Sequence, residues 1–361
     1  MSVSKAAGKK LKVGILGCGP IAQFAHLEAC QKANNAVLYS VCDQAEDLAR
    51  KMGAFYESEK IYTHYEEMLQ DEEMEAVIIA TADAFHLPAA IQAVEAGKHV
   101  LVEKPLGDDL HKAKELKALI EQKKVTFQVG HMKRFDPAIA YARTFIQEEM
   151  GDMIAFKAWY CDSTHRYDMT DSTQPLPFTS NHAKRPDLDP KSDLKKYYMM
   201  AHGSHLLDTA SFLAGSIESV RANLVEKKGI YNWFIDTAFA NGCNGHLDLT
   251  VAVRMDWHEG FHIYGEHGSV LGKVFNPWYY KTSEVKCFSE KKKAYIQPLD
   301  NKAHFFQRQL EGFAARILDG LPQQGTDINQ GIESLRAMMA IAESARRNER
   351  VYLKNITGKW L

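Results

Sequence analysis

The run Lys12-Val13-Gly14-Ile15-Leu16-Gly17-Cys18-Gly19-Pro20-Ile21-Ala22 constrains the fold more than any other part of the chain. Val13, Ile15 and Leu16 form a short apolar strand, Gly17 permits a tight turn, Gly19 removes a side chain above that turn, and Ala22 lets the next helix lie close to the strand. A strand that turns this sharply into a helix aims unpaired backbone N–H groups at whatever anion sits above it. A second apolar run, Ala36 to Cys42, ends in Asp43, at the spacing of about twenty residues where an acid can accept hydrogen bonds from a ribose. The pattern is that of a dinucleotide site, with Gly17, Gly19, Pro20 and Ile21 around the pyrophosphate and Asp43 on the adenosine ribose. Gln44 follows, and no arginine comes before Arg50. A 2′-phosphate would meet a carboxylate without a cation, so the expected cofactor is NAD rather than NADP.

Strands and helices then alternate to about residue 130. Buried-type strands are expected at Ala76–Ala80, His99–Val102 and Thr126–Gly130, and helices at 45–52, 62–69, 87–96 and 109–123. In such a doubly wound sheet, ligands lie beyond the carboxyl ends of the strands. Thr81, Ala82, His86, Glu103, Lys104 and His131 fall at or just after those ends and join the candidate site. From about residue 150 the pattern becomes polar–apolar alternation, at 154–160, 220–226, 233–239, 245–257 and 260–264, as in an antiparallel sheet with one open face. Helices are expected at 199–213, 304–318 and 328–347. The fold class is therefore α/β plus α+β. A Rossmann doubly wound parallel sheet occupies residues 1–131. A second unit with a large open, mainly antiparallel sheet, at 132–361, binds substrate and mediates oligomerisation.

Composition narrows the function further. The 361 residues suffice for two domains, and a formal net charge of −2 offers no basic field to nucleic acid. No apolar run reaches membrane-spanning length, and the first residues lack the hydrophobic centre of a signal peptide. The six cysteines are dispersed without a Cys-x-x-Cys pair, which argues against structural zinc and a disulfide framework and points to a reducing cytoplasm.

Several motifs together carry a resemblance. Gly17-Cys18-Gly19, Thr81-Ala82-Asp83 with His86, Ala96-Gly97-Lys98-His99-Val100-Leu101-Val102-Glu103-Lys104-Pro105, Gly130-His131-Met132-Lys133-Arg134-Phe135-Asp136-Pro137 and Gly203-Ser204-His205-Leu206-Leu207-Asp208 are similar to the glucose–fructose oxidoreductase/inositol dehydrogenase family, Gfo/Idh/MocA. The resemblance implies that Lys104 lies beside the nicotinamide and hydrogen-bonds the reacting hydroxyl. It also implies a cis bond at Pro105 and a proton-accepting role for His205. The chemistry agrees with this: oxidation of a secondary alcohol needs a hydride acceptor, a base at the hydroxyl, and a positive group to favour the alkoxide. His205 and Lys104 suit the last two.

One position departs from the family. An aspartate is usual four residues before the histidine, and here that residue is Ala201. Either another polar residue replaces it, with His202, Asp187, Asp189 and His131 as candidates, or the substrate does not need it. The long segment from Cys161 to Met200 also stands out, rich in turn formers and rings; it is expected to line the substrate cleft or to pack on a neighbouring subunit. Candidate substrate-binding residues are Lys104, His131, Arg134, His165, Asp187, His202 and His205. The expected reaction is oxidation of a ring hydroxyl on a sugar or glycoside, with a lean toward carbon 3. A cyclitol dehydrogenase and a catalytically silent NAD-binding regulator are the alternatives. The open sheet face implies a homo-oligomer, a dimer or tetramer.

Overall fold

The computed structural model describes residues 8–163, 172, 174–300 and 302–360. Its first sheet contains β1 (Leu11–Leu16), β2 (Ala36–Cys42), β3 (Lys60–Tyr62), β4 (Ala76–Ile79), β5 (His99–Val102) and β6 (Phe127–Val129). These run parallel in the order β3-β2-β1-β4-β5-β6. The strand order reverses direction between β1 and β4, where a crevice opens at the strand ends. Val13, Ile15 and all of β4 are buried, because helices cover both faces of a parallel sheet and leave no position for polar alternation. The edge strand β3 lies where the sequence suggested the start of a helix; the helix itself is Tyr65–Gln70.

The second sheet has nine strands: β7 (Met153–Ser163), β8 (Ile217–Lys227), β9 (Ile230–Phe239), β10 (Asn244–Val253), β11 (His258–Gly265), β12 (Gly268–Val274), β13 (Glu284–Ser289), β14 (Ala294–Ile296) and β15 (Val351–Tyr352). Their order is β14-β13-β12-β11-β7-β10-β9-β8-β15, antiparallel except for the parallel β7–β10 pair. The expected strand 245–257 stops at Val253, and the chain bends through 254–256 before β11 begins. Strand β9 shows the half-covered pattern, with Tyr231, Trp233 and Ile235 buried while Phe234 points outward.

The helices Ser204–Ala214 and Ile328–Arg347 cover the inner face of this sheet. The latter begins with a capping box in which Asp327 and Gln330 satisfy each other's backbone N–H groups. The halves are stitched together, since Val129 bridges to Thr326 and the Leu110 N–H donates to the Gly358 carbonyl. No helix among the described residues is long and apolar enough to cross a membrane.

Candidate functional site at the strand ends

Gly17 adopts φ +91°, and a Cβ there would stand 2.8 Å from the Ala80 carbonyl oxygen, so only glycine lets β1 turn this close to β4. A Cβ at Gly19 would meet no protein atom within 4 Å. The space above the turn is open to a ligand, and the helix that starts at Pro20 and Ile21 points its N-terminus there. Asp43 braces the turn: one carboxylate oxygen accepts from Cys18 N–H (2.8 Å) and the other from Ala45 N–H (2.9 Å). Each oxygen keeps a lone pair for a ribose hydroxyl. These residues fit a dinucleotide.

The ends of β4 and β5 are tied by His86, whose Nδ1 lies 2.8 Å from the Pro105 carbonyl oxygen and Nε2 3.0 Å from that of Thr81. The Lys104–Pro105 bond is cis, as the family resemblance implied. Glu103 is buried with one carboxylate oxygen 2.9 Å from His26 Nε2, while the other accepts the Lys104 N–H. Burial pushes this carboxyl up, but His26 and Lys104 outweigh it and hold it below the usual range. Glu103 is thus a support under the cleft, with Thr81 partly exposed and Ala82 exposed beside it.

Lys104 and His205 both remain partly exposed, among neighbours that are buried. The Lys104 ammonium donates to the Ala201 carbonyl oxygen at 3.5 Å, reaching the π-helical turn Met199–Gly203 immediately before the helix of His205. His205 stacks parallel on Tyr160, with centroids 6.0 Å apart, and meets His131 edge to face at 6.4 Å. Burial first, then the charges of Lys133 and Lys104, hold the His205 imidazole well below its ordinary pKa. His131 is buried and also shifted down, chiefly by burial, and its Nδ1 has no protein partner. A neutral imidazole and an ammonium therefore border one cleft.

The structure changes the roles expected of four residues. Arg134 does not face substrate: it forms a bidentate pair with Asp208 (2.7 and 3.0 Å) and donates to Gln330, and Asp208 also accepts from Thr326. This locks the β6 end, the His205 helix and the helix Ile328–Arg347 together. His202 is buried behind Tyr160, its Nδ1 3.4 Å from the tyrosine oxygen and its Nε2 3.5 Å from Asp162. Asp187 is exposed, and Asp189 caps a short turn through Lys191 N–H, so neither supplies the missing carboxylate. His165 lies outside the described residues.

The long segment takes an unexpected course. Between 178 and 184 it docks on the first sheet's own helices: Gln23 bonds both backbone groups of Phe178 (2.9 Å each), Ser180 donates to Asp47 (2.7 Å), and Lys51 caps the Phe178 ring at 3.6 Å. Lys184 lies 5.2 Å from the ring of Phe85, just after β4. The strap runs from the β2 side to the β4 side and so crosses the dinucleotide crevice. Neither this strap nor the buried Lys133–Glu259 pair (2.5 Å) was expected. Lys133 stood inside a motif already singled out, but Glu259 had no signal in sequence, because only strand pairing brings it there.

A Rossmann sheet with an open glycine turn, a carboxylate on the second strand and a lysine–histidine pair at the strand ends defines an NAD-dependent oxidoreductase. Residues 11–131 match the model of an oxidoreductase family with an NAD-binding Rossmann fold, and 142–271 match the GFO/IDH/MocA C-terminal domain. The chain belongs to the Gfo/Idh/MocA family. It is similar to inositol 2-dehydrogenase of Rubrobacter xylanophilus, 25% identical over 73% of this chain and 71% of that one. It also resembles the scyllo-inositol 2-dehydrogenase (NAD(+)) of Bacillus subtilis, 34% identical over 42% and 45% of the two chains. A solved structure of levoglucosan dehydrogenase in complex with NADH shares the fold, with TM-score 0.78 and 20% identity over 96% of this chain and all of that chain.

Proposed function

We propose that the protein oxidises a secondary ring hydroxyl of a sugar or glycoside to a ketone, reversibly, with residues 1–131 holding NAD and 132–361 forming the substrate side. The observation that carries this reading is the shared cleft of Lys104 and His205, with the histidine held neutral. Bound NAD supplies the hydride acceptor. The Lys104 ammonium stabilises the oxygen as negative charge develops on it, and His205 takes the hydroxyl proton as the C–H bond gives up its hydride. The carboxylates Glu103, Asp208 and Glu259 are each engaged by a cation or imidazole, which leaves Lys104 as the charged group directed at the reacting oxygen.

Carbon 3 is the preferred position of attack. A cyclitol substrate is the second reading, favoured by the inositol dehydrogenases among the relatives. Incubation with NAD and a panel of glycosides, hexoses and inositols, followed at the absorbance of the reduced cofactor, separates them; no reduction with any ring alcohol overturns both. The exposed Ile154, Phe234 and Tyr264 on the open sheet face support a homo-oligomer. A monomer by light scattering at micromolar concentration would contradict it.

A further inference from the structure

The residue that normally faces the histidine with a negative charge is absent at Ala201, and the groups that replace it are of the opposite sign. Lys133 sits on the turn Met132–Phe135 beyond β6, with its side chain only 7% exposed. It is paired with Glu259 of β11 at 2.5 Å. Its ammonium stands 4.6 Å from the centroid of Tyr160 and 5.8 Å from that of Trp257. The other charged and titratable groups around His205 are Lys104 just after β5, His131 just after β6, and His202 in the turn before its own helix, the last paired with Asp162 of β7. Asp208, on the same helix, is committed to Arg134.

We propose that Lys133 is a positioning residue for the base: held by Glu259 and seated over Tyr160, it fixes the ring on which His205 stacks and keeps that imidazole unprotonated. This rests on the reading of His205 as the base. The physical effect has two parts. The cation attracts the tyrosine ring, and that ring sets the plane of the parallel imidazole. The same charge disfavours a second cation at His205, in a pocket where burial weakens solvent screening. Lys133 is too buried to serve as a substrate contact, and Glu259 is the carboxylate that makes its burial tolerable. The chain has thereby exchanged a base steadied by an anion for one kept neutral by burial, with a neighbouring cation adding to it. Oxidation continues at lower pH as a result.

The test measures the His205 titration directly, by NMR of the imidazole in the whole protein with NAD bound, beside the pH profile of kcat/KM. Lys133→Met is expected to move the His205 titration and the acidic limb of oxidation upward by about one pH unit. Lys133→Arg, which keeps the charge, leaves both within a few tenths of a unit. Glu259→Gln, which removes the counter-charge, shifts them in the opposite direction from Lys133→Met. A merely structural role would lower activity in all three without moving the titration. An unmoved His205 titration in Lys133→Met overturns the proposal. A titration that moves while the activity limb stays put retains the electrostatic link but removes His205 as the base, as would full activity of His205→Asn.

Discussion

Gln23 holds both main-chain polar groups of Phe178, its amide nitrogen donating to the carbonyl and its amide oxygen accepting the N–H, each at 2.9 Å. The two residues are 155 positions apart, and the contact ties the strap 178–184 to the helix that follows the glycine turn. With each bond contributing about 1 kcal/mol, Gln23→Ala should raise the rate of NADH release roughly tenfold or more. Stopped-flow fluorescence measures this, and an unchanged rate would show that the cofactor leaves without lifting the strap.

Asp43 braces the turn, its oxygens accepting from Cys18 and Ala45, and each keeps a lone pair facing the proposed ribose position. Asp43→Ala should weaken NAD by about tenfold or more while NADP changes less, since the repulsion of a 2′-phosphate disappears with the ribose contact. Titration calorimetry with the two cofactors checks the ratio. Tighter binding of NADP than NAD by the unaltered protein would sink this reading of the site.

Lys104 reaches across to the Ala201 carbonyl and borders the same cleft as His205. Removing one charge that acts on the developing alkoxide should lower turnover by about a hundredfold or more in Lys104→Ala. NAD affinity should change little. Steady-state kinetics with unchanged turnover would move the chemistry elsewhere.

The depressed pKa values of His205 and His131 make a stability prediction. Below about pH 6.5 the unfolded chain protonates both residues while the folded chain does not, so stability falls as the pH falls, by up to about 1.4 kcal/mol per unit for each. The loss ends once the pH passes below the folded values. Thermal melts of His131→Asn between pH 7 and pH 5 should show a shallower decline than the parent; an identical slope would mean that His131 charges freely in the fold. For His205, Ala201→Asp should raise the acidic limb of oxidation by stabilising the imidazolium across one turn.

Arg134 predicts a variant that loses stability rather than recognition. Arg134→Met leaves Asp208 buried without its cation, which costs about 3–5 kcal/mol. The expected result is a large drop in Tm, with KM nearly unchanged at temperatures where the variant stays folded. A KM effect without loss of stability would restore Arg134 to the substrate site.

Local pattern was enough for much of this molecule. The glycine turn, Asp43, the apolar strands of the first sheet, and Lys104 before Pro105 were all legible in sequence, because each depends on neighbours within a few residues. His205 was singled out the same way, through the motif that contains it, and the fold places it on Tyr160 and beside His131. Tertiary structure alone decided what surrounds that base. That Arg134 and Lys133 turn inward depended on which buried carboxylate each met, Asp208 on the His205 helix 74 residues away or Glu259 on a strand 126 residues away. The strap depended on Gln23, an ordinary helix residue until Phe178 arrives. Charge partners in a low-dielectric interior are chosen by folding geometry, which the order of residues along the chain does not display.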